Sequence, residues 1–313
     1  MASPDIVVVG SYNRDVSLSV AHMPAPGETL LSLGRLEAPG GKGSNQAIQA
    51  ARCGAAVAMI AAIGRDGAGE EALALWAGEG IDARFVARLA DAGTGLAMIL
   101  VDGHGENLIV VDSGANARLA ESHVADASGA IAGAMLVAAQ LETPVAATRR
   151  AFAIARAAGT ATLLNAAPAP EAIDADLLAL TDMLVVNEIE GRALSGHAAP
   201  AAIGETLLGR VGRAVVITLG ADGAMLFEHG RSPLRAATPR VEVVDTTGAG
   251  DAFTGAFAAR LVERGDAASA LAWGLAAGAL ACTAKGATAS CAPAARVAPL
   301  AARLLEGFPR QLK

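Results

Sequence analysis

The sequence predicts an α/β protein with a mostly parallel central sheet and a small β-sheet inserted between its early elements. Short runs rich in Val, Ile and Leu alternate with Ala-rich stretches of helical length, which is typical of βαβ units around a buried parallel sheet. Residues 17–36 and 94–111 break this pattern, because they combine alternating strand-like residues with Pro and Gly turns and contain no helix of useful length. We interpret these two stretches together as one small inserted sheet.

Six apolar runs are the predicted core strands, at residues 6–9, 59–63, 135–139, 162–164, 183–186 and 215–219. No linker, fixed-period repeat or low-complexity tail separates independent domains. A chain of 313 residues exceeds the usual single-domain size, but doubly wound α/β folds reach it as one large domain with an insertion. We therefore predict a core that binds nucleotide and substrate and an inserted β lid. The core comprises residues 1–12, 37–93 and 112–313, and the lid comprises residues 13–36 and 94–111.

Composition narrows the range of partners and locations. The chain has 24 Lys and Arg residues against 31 Asp and Glu residues, and the basic residues are scattered, so we expect no nucleic-acid partner. Three cysteines without CxxC spacing and five histidines without HxxxH spacing predict a reducing compartment and no zinc site. The start, MASPDIVVVG, has no basic leader and too short an apolar run for a signal peptide, which predicts a cytoplasmic protein.

One uncharged segment, residues 267–284, reaches the length at which a membrane span must be considered. It consists mostly of Ala and Gly, and it has no flanking aromatic belt. We therefore expect a helix packed tightly inside the protein and no membrane partner.

Polar residues follow the predicted core strands repeatedly. They are Asn13 and Asp15, Gln140 and Glu142, Asn165, Asn187 and Glu190, and Thr218 and Gly220. In open α/β sheets ligands bind beyond the carboxyl ends of the strands, so these residues predict a ligand crevice there.

The segment VVDTTGAGDAFTGAF, residues 243–257, combines a strand-like apolar stretch, a glycine turn and an aspartate at the start of an apolar helix. A helix N-terminus offers unpaired N–H groups, and Gly248 and Gly250 would let an anion approach the backbone. Asp251 would then lie beside the anion as a base, which indicates phosphoryl transfer to a hydroxyl group. The alternative is that Asp251 only satisfies helix amides.

A second glycine cluster, PGGKGSNQ at residues 39–46, precedes an Ala-rich helix predicted at 47–52. It is not a Walker A loop, because Leu36 occupies the position of the first glycine and Gly43 that of the Ser or Thr. Glycines allow close approach of a polar ligand, and Asn45 could offer its amide to hydroxyl groups. A flexible turn before a helix is the alternative.

The loop at residues 64–72 contains GxGxxA between a strand and a helix, the form of a dinucleotide fingerprint. Arg65 and Asp66 separate the strand from the first glycine of the fingerprint, and Glu70 and Glu71 crowd the expected pyrophosphate position. No clean second strand ends in an acidic residue about 20 positions later. A loop followed by an acidic first helical turn explains the segment better.

Six motifs occur in order along nearly the whole chain: GSYNRD from Gly10, PGET from Pro26, GGKGSNQA from Gly40, GAN from Gly114, NEIE from Asn187 and DTTGAGD from Asp245. On these motifs the sequence resembles the PfkB family of carbohydrate and nucleoside kinases, and within it the ribokinases. The resemblance implies a ribokinase-like three-layer sandwich and an ATP-dependent phosphotransferase that phosphorylates the 5-hydroxyl of D-ribose. Tyr12, Arg14 and the sequence NAAP from Asn165, where the family usually has Asn-Pro-Ala-Pro, depart from the family pattern, so another sugar or a nucleoside stays open as the substrate.

The resemblance also implies roles for residues at matching positions. Sugar hydroxyls are assigned to Asn13, Asp15, Gly41, Asn45 and Glu142, and Lys42 to the same segment with either sugar or phosphate as its contact. ATP is assigned to Asn187, Thr218, Gly220, Gly223 and Gly250. Mg²⁺ is assigned, through water, to Asn187 and Glu190. The anion hole is assigned to Gly248, Ala249 and Gly250, with Asp251 as the base. A monovalent cation, K⁺, is assigned to Asp245, Thr247, Ala281, Ala284, Gly286 and Ser290.

Other interpretations are compatible with parts of the sequence. A nicotinamide-dependent enzyme would need the GxGxxA loop to bind a dinucleotide, and a non-catalytic sugar sensor would keep Asn13 and Asp15 but need no base. At the cation site, Lys285 could simply offset the negative end of a helix and Asp245 could be a solvated turn residue. A small sheet with one apolar face is unstable alone in water, so we expect two copies to form a homodimer through the lid, as the resemblance also implies.

Overall fold

The structure is a computed structural model that describes residues 3–169 and 173–308. The strands within these residues are β1 (Ile6–Val9), β2 (Asn13–Ser19), β3 (Gly34–Gly40), β4 (Val57–Gly64), β5 (Asp82–Leu89), β6 (Gly95–Val101), β7 (Asn107–Asp112), β8 (Leu136–Ala139), β9 (Ala161–Asn165), β10 (Met183–Asn187), β11 (Ala214–Thr218), β12 (Ala224–Glu228) and β13 (Leu234–Ala236). The α-helices are α1 (Lys42–Arg52), α2 (Gly67–Gly78), α3 (Glu121–Asp126), α4 (Ser128–Gly133), α5 (Val145–Ala158), α6 (Ala175–Ala179), α7 (Glu188–Ser195), α8 (Pro200–Leu208), α9 (Ala249–Arg264), α10 (Ala267–Ala281), α11 (Ala287–Ser290) and α12 (Ala294–Glu306).

Nine strands form the central sheet, in the order β13-β12-β11-β10-β9-β8-β1-β4-β5. The strands from β5 to β11 are parallel, and β12 and β13 continue the sheet in antiparallel pairing. All six predicted core strands belong to this sheet, which confirms the mostly parallel centre. The three remaining strands, β5, β12 and β13, were missed because they lie toward the edges and mix polar with apolar residues.

Helices cover both faces of the central sheet. Alternate residues of a strand point to opposite faces, and β1 shows this directly. Ile6 and Val8 belong to a core with the α9 residues Phe253 and Phe257. Val7 and Val9 belong to a second core that includes Phe152 of α5. The molecule is therefore a three-layer sandwich, and the predicted fold class is confirmed.

Residues 267–281 of the uncharged segment form α10, which is buried along almost its whole length. It packs closely because its residues are small: a Cβ added to Gly274 would lie 2.8 Å from the ring of Phe253. Within residues 3–169 and 173–308, no helix has both the length and the apolar character needed to span a membrane.

A separate four-stranded sheet has the order β3-β2-β6-β7. Its strands come from the two segments predicted to form an inserted sheet, although β3 continues to Gly40, beyond the predicted bound at residue 36, and the chain between Ser19 and Gly34 is a loop. The division into core and lid stays a prediction, and residues 1–2, 170–172 and 309–313 of the predicted core lie outside the described residues.

The strand-like stretch before the glycine turn is not a strand. Val243 and Val244 lie in the loop between β13 and α9 and are 61% and 52% exposed. The amide of Val244 donates to the carbonyl of Cys282 at 2.8 Å, but no strand within residues 3–169 and 173–308 pairs with this stretch. The expectation of a strand here was wrong. Two consecutive valines favour an extended backbone, but a strand also needs a neighbouring strand with which to form hydrogen bonds.

Candidate active site

The start of α1 is packed directly against the end of β1. Gly41 precedes the helix with a φ of 87°, and a Cβ there would lie 2.7 Å from the Cα of Tyr12. A Cβ on Gly43 would lie 2.4 Å from the backbone nitrogen of Ser11. These glycines are therefore required for close packing. The helix begins at Lys42, earlier than the predicted residue 47, and its first turn includes Asn45.

The start of α9 offers open backbone amides. Gly248 precedes the helix in the left-handed region, with a φ of 78°. Ala249 donates its amide to Thr246 at 3.2 Å, so this member of the predicted anion hole is already engaged in the turn. Among the described residues, the amides of Gly248 and Gly250 have no hydrogen-bond acceptor, and a Cβ on Gly250 would meet nothing within 4 Å. Such a helix N-terminus favours an anion.

Asp251 is buried in the first turn of α9, with 7% of its surface exposed. Its Oδ2 accepts a hydrogen bond from Asn45 Nδ2 at 3.0 Å, and its Oδ1 accepts one from Gln46 Nε2 at 3.1 Å. Neither oxygen accepts from a helix amide. The alternative in which Asp251 only caps the helix is therefore wrong, and the carboxylate instead joins α9 to α1.

Two further carboxylates lie near Asp251. Glu142 Oε2 accepts the amide of Lys42 at 2.9 Å and a short hydrogen bond from the Ser11 hydroxyl. Burial, together with the charges of Glu142 and Asp251, raises the pKa of Asp15 to about 6. Glu142 and Asp251 are thus close enough for their charges to act on Asp15, and three neighbouring carboxylates would suit a ligand with several hydroxyl donors.

Asn13 lies beside these carboxylates at the start of β2 and is 4% exposed. Its Oδ1 accepts a hydrogen bond from Asn116 Nδ2 at 2.8 Å, while Asn116 also bonds the backbone of Tyr12 through both its amide atoms. The side chain of Asn13 is thereby oriented with its own NH₂ group available to a ligand.

Lys42 is influenced by carboxylates of both the predicted sugar contacts and the predicted nucleotide contacts. The charge of Asp251 raises the pKa of Lys42 most strongly, and Glu142 and Glu190 add to the effect. Within the part of the chain that the structure describes, no carboxylate lies within 4.0 Å of its ammonium group. The ammonium is therefore influenced by carboxylates on the predicted sugar side and on the predicted nucleotide side.

The predicted nucleotide residues lie at the carboxyl ends of β10 and β11, where Asn187 and Thr218 are paired in register. Gly220 has a φ of 56° and open space in the direction of a Cβ. Gly223 has a φ of 94°, and a Cβ there would lie 2.0 Å from the carbonyl oxygen of Ala236. Gly223 is thus required by packing against Ala236, whereas the space beside Gly220 is open to a ligand.

Asn187 and Glu190 form a reciprocal cap at the start of α7. Asn187 Oδ1 accepts the amide of Glu190, and Glu190 Oε2 accepts the amide of Asn187, each at 2.8 Å. Burial raises the pKa of Glu190. Glu190 Oε1 has no partner among the described residues, so it can still accept from a metal-bound water.

Mg²⁺ is usually bound by one or two carboxylates together with substrate phosphates and water, so the free oxygen of Glu190 fits this ion. No cluster of three or more His, Cys, Asp or Glu side chains that could hold a metal ion occurs in residues 3–169 and 173–308.

The predicted cation segment is joined directly to the glycine turn. Asp245 Oδ2 accepts the amide of Gly286 at 2.9 Å, and its Oδ1 accepts both the amide and the hydroxyl of Thr247. Burial alone would raise the pKa of Asp245, but these hydrogen bonds outweigh it and hold the pKa below its usual value. The structure thus joins Asp245 and Thr247 to Gly286. Of the other predicted ligands, Ala281 accepts from Ala284 N, and Ser290 N donates to Gly286 O.

The two bulky departures from the family pattern, Tyr12 and Arg14, pack against residues outside the predicted sugar contacts. Tyr12 is 1% exposed and packs edge-on against Trp76, with 5.7 Å between the ring centroids. Arg14 points to the opposite face of β2 and forms ion pairs with Glu37 and Glu71. Both bulky side chains therefore have structural partners of their own.

The GxGxxA loop has a structural explanation. Asp66 caps α2 by accepting the amide of Gly69 at 2.8 Å, and it also accepts the amide and hydroxyl of Thr94. A Cβ on Gly69 would lie 2.2 Å from the carbonyl oxygen of Gly64. The glycines allow this loop to close on itself, which supports the interpretation of an acidic helix start over a dinucleotide site.

Sequence reasoning assigned no role to Ser11, Gln46 or Asn116, although each lies within a motif that was noticed. Their importance depends on the strands and helices that face them, and the signal available in the sequence was only their place within these motifs. Thr288 was also missed; its hydroxyl lies 2.8 Å from Asn45 Oδ1.

The chain is similar to known carbohydrate kinases over most of its length. A model of the pfkB family of carbohydrate kinases matches residues 3–295. The chain is similar to the ribokinase of Haemophilus influenzae, with 38% identity over 290 residues that cover 91% of this chain and 94% of that protein. It is also 38% identical to the ribokinase of Mus musculus, over 81% of this chain and 80% of that one. Among solved structures, Arabidopsis thaliana ribokinase complexed with ribose and ATP is similar, with a TM-score of 0.88, 29% identity, and coverage of 96% and 99% of the two chains.

Proposed function

This chain belongs to the pfkB family of carbohydrate kinases, and on that basis we propose that it transfers the γ-phosphoryl group of ATP to the 5-hydroxyl of D-ribose. The product is ribose 5-phosphate. The observation that carries the proposal is the placement of Asp251: a buried carboxylate held by Asn45 and Gln46 lies in the same helical turn as the open amide of Gly250. A base and an anion site are thereby adjacent, as phosphoryl transfer to a hydroxyl requires.

Asp251 accepts the proton of the attacking hydroxyl. Its two oxygens are fixed by amide donors, so the acceptor is oriented before substrate binds. The amides of Gly248 and Gly250, at the positive end of α9, compensate charge on the phosphoryl group as it is transferred. Lys42, whose ammonium is influenced by Asp251 and Glu190, adds positive charge between the substrates.

The sugar is held by polar groups from three elements of the fold. Asn13 offers its amide, while Asp15 and Glu142 accept from hydroxyl donors, and the close approach of Gly41 to the backbone of residues 12 and 13 shapes the same wall. Hydroxyl recognition by buried polar groups is specific, because an analogue without the hydroxyl leaves these groups unpaired.

ATP lies along the ends of β10 and β11 in this proposal, with Asn187, Thr218, Gly220 and Gly223 lining it. Glu190 and Asn187 would hold Mg²⁺ through water, and the ion would supply charge compensation for the phosphates. Oxygen atoms of Asp245, Thr247 and the segment 281–290 would hold K⁺, which would supply positive charge beside the anion site when bound.

The second sheet covers the sugar site as a lid, since β2 and β3 contain Asn13, Asp15 and Gly40 at the border of the site. A lid excludes water, which otherwise competes with the sugar for ATP. The exposed apolar residues of β7 support a homodimer formed through the two lids. The use of ATP agrees with the cytoplasmic location predicted from the sequence.

The test is an assay of ADP release with ATP, Mg²⁺ and a panel of D-ribose, 2-deoxy-D-ribose, D-fructose and adenosine. D-ribose should give the highest kcat/KM, and the product should be ribose 5-phosphate by NMR. The Asp251→Asn variant, purified in the same way, controls for contaminating kinases. A higher kcat/KM with adenosine or fructose would replace ribose by another substrate. Sugar binding without ADP release would favour the non-catalytic sensor.

A further inference from the structure

A chain of buried side-chain amides extends behind Asp251. Gln46, Gln140 and Asn165 are 2%, 0% and 7% exposed, and none of them has an assigned role in the reaction. Gln46 Nε2 donates to Asp251 Oδ1 at 3.1 Å and to Asn165 Oδ1 at 3.0 Å. Gln46 Oε1 accepts from Gln140 Nε2 at 2.7 Å. All the hydrogen-bonding atoms of the Gln46 amide therefore have partners.

The direction of this chain is fixed by a backbone carbonyl. Asn165 lies 3.1 Å from the carbonyl oxygen of Val185, which can only accept, so the Asn165 NH₂ group must face it. The oxygen of Asn165 then faces Gln46, and Gln46 must direct its NH₂ group toward both Asn165 and Asp251. A reversed Gln46 would place its oxygen against the acceptors of Asn165 and Asp251. The amide that faces Asp251 is thus an obligatory donor.

The same direction leaves one acceptor without a donor. Gln140 Oε1 is buried and has no hydrogen-bond partner among the described residues. Buried polar atoms without partners destabilise a fold and are uncommon. Here the unpaired atom lies at the end of the chain farthest from Asp251, while both amide hydrogens of Gln46 are used.

We propose that Gln46 is a positioning residue for the reaction, which orients the Asp251 carboxylate as the acceptor of the hydroxyl proton. The inference rests on the proposed function and adds a residue to it. Asn45 holds Oδ2 and Gln46 holds Oδ1, so loss of Gln46 frees one oxygen and lets the carboxylate rotate. Asn165 acts through Gln46 because it fixes which way the Gln46 amide faces, and Gln140 acts through Gln46 because it holds Oε1 of that amide in place.

The alternative is that Gln46 only stabilises the packing of α1, and the chain offers a matched control for it. Gln49 lies on the same helix and is 0% exposed. Its Nε2 donates to the carbonyl of Ala292 at 2.8 Å, and its Oε1 accepts the amide of Ala292 at 3.0 Å. Gln49 is therefore as buried and as well bonded as Gln46, but it has no hydrogen bond to Asp251.

The experiment compares Gln46→Met with Gln49→Met, alone and combined with Asp251→Asn. We measure kcat and KM for D-ribose well below the unfolding temperature, and thermal stability for every variant. Gln46→Met should lower kcat about 10- to 100-fold, the effect of losing one hydrogen bond to a charged group, with little change in KM. Gln49→Met should lower stability and leave kcat unchanged. In the Asp251→Asn background, Gln46→Met should lower kcat much less, because the two residues act together.

A second variant covers the case in which Gln46→Met does not fold. Gln140→Met removes the donor to Gln46 Oε1 and also the unpaired oxygen, and it should lower kcat about 2- to 10-fold, as expected for one neutral hydrogen bond. Equal kcat values for the wild type and for Gln140→Met, or for Gln46→Met and Gln49→Met, would overturn the inference. The inference would also be overturned if Gln46→Met lowered kcat by the same factor in the Asp251→Asn background as in the wild type.

Measurements of thermal stability test this inference separately from the proposed function, because they need no substrate. The stability effects of Gln46→Met and Asp251→Asn should be strongly non-additive, while those of Gln49→Met and Asp251→Asn should add. Additive effects for the first pair overturn the inference even if D-ribose is phosphorylated. Non-additive effects in a protein that phosphorylates no sugar of the panel would refute the proposed function but retain the link between Gln46 and Asp251.

Discussion

The side-chain amide of Asn45 donates a 3.0 Å hydrogen bond to Asp251 Oδ2, although the two residues are 206 positions apart in the sequence. This bond joins the first turn of α1 to the first turn of α9. Asn45 Oδ1 in turn lies 2.8 Å from the hydroxyl of Thr288, close to the predicted cation segment. The two glycine clusters therefore form one site, in which a predicted sugar contact also holds the predicted base.

Replacing Asp251 with Asn should reduce kcat about 10²- to 10⁴-fold, the usual effect of losing a general base. The variant keeps the shape of the side chain and one acceptor oxygen, so the fold and ATP binding should change little. Stopped-flow or coupled measurement of ADP release and calorimetric titration with ATP would show both effects.

Asp266→Asn is the matched control for Asp251→Asn. Asp266 lies at the start of α10 and accepts the amides of Ala268 and Ser269, so it is a true helix cap. This variant should lose some stability and keep its kcat. An Asp251→Asn enzyme that retains a tenth of the wild-type kcat would contradict the assignment of Asp251 as the base.

Asp15→Asn should stabilise the free protein at high pH and weaken sugar binding. Burial and the charges of Glu142 and Asp251 raise the pKa of Asp15 from 3.8 to about 6. The folded protein therefore holds this proton more tightly than the unfolded chain, so its contribution to the free energy of unfolding falls as the pH rises through this range. The variant should gain about 1–3 kcal/mol at pH 8, and the gain should shrink toward pH 4.

Chemical denaturation at several pH values, without substrate, measures this gain. Asp112→Asn, which changes an exposed aspartate of the same sheet, is the control variant. The KM for D-ribose should rise in Asp15→Asn, because a charged acceptor of hydroxyl groups is lost. A loss of stability at pH 8 would show that the ionised form of Asp15 is favoured in the free protein.

The core strands could be predicted because a strand buried on both faces is apolar by itself, whatever its neighbours are. Edge strands such as β5 depend on pairing with a neighbour. In β5 the charged residues Asp82, Arg84 and Arg88 interrupt the apolar run by which a core strand is recognised. The reverse error occurred at Val243 and Val244, where apolar residues without a partner form a loop. Sequence reveals burial well, but it does not reveal which distant segment will pair.

The site residues also divide into those that the local sequence predicts and those that depend on distant segments. Asp251, Asn187 and Glu142 were predicted because residue type and position beyond a strand or at a helix start limit their chemistry. The contacts of Gln46 depend on how α1, α9 and β9 are placed relative to one another, which no local pattern encodes. The same holds for the bond between Asn116 and Asn13, since these residues come from segments 103 positions apart.

The second sheet should mediate a homodimer. All six residues of β7 are exposed, and its four apolar residues are between 49% and 60% exposed, so this edge strand offers apolar surface and unpaired backbone groups. Ile109→Lys should convert the dimer to a monomer in sedimentation velocity at micromolar concentration. Met135→Lys, which changes a 54% exposed residue outside this sheet, should remain dimeric. A wild-type protein that sediments as a monomer would refute the prediction.

Potassium should raise activity more than sodium does. The evidence is the bond of Asp245 Oδ2 to the amide of Gly286 at 2.9 Å, which joins the turn before the anion site to the segment that follows α10. Gly248 packs against Ala287 so closely that a Cβ would lie 2.7 Å from its Cα. A cation held by oxygen atoms at this junction would fix the position of the open amides and add positive charge beside them. The measurement is kcat with D-ribose and ATP in Tris buffer at constant ionic strength, with potassium replaced by sodium or tetramethylammonium.

The Asp245→Asn variant separates a cation site from a general effect of salt. It removes one negative charge from the junction, so its kcat should respond weakly to the choice of cation. Asp266→Asn removes a charge of the same kind from another helix start and should respond as the wild type does. Since Lys285 also lies near Asp245 and lowers its pKa, Lys285→Gln should keep the potassium response if the ion, and not the lysine, provides the charge. Equal kcat values for the wild type in all three salts would remove the cation from the mechanism and leave the role of Asp251 unchanged.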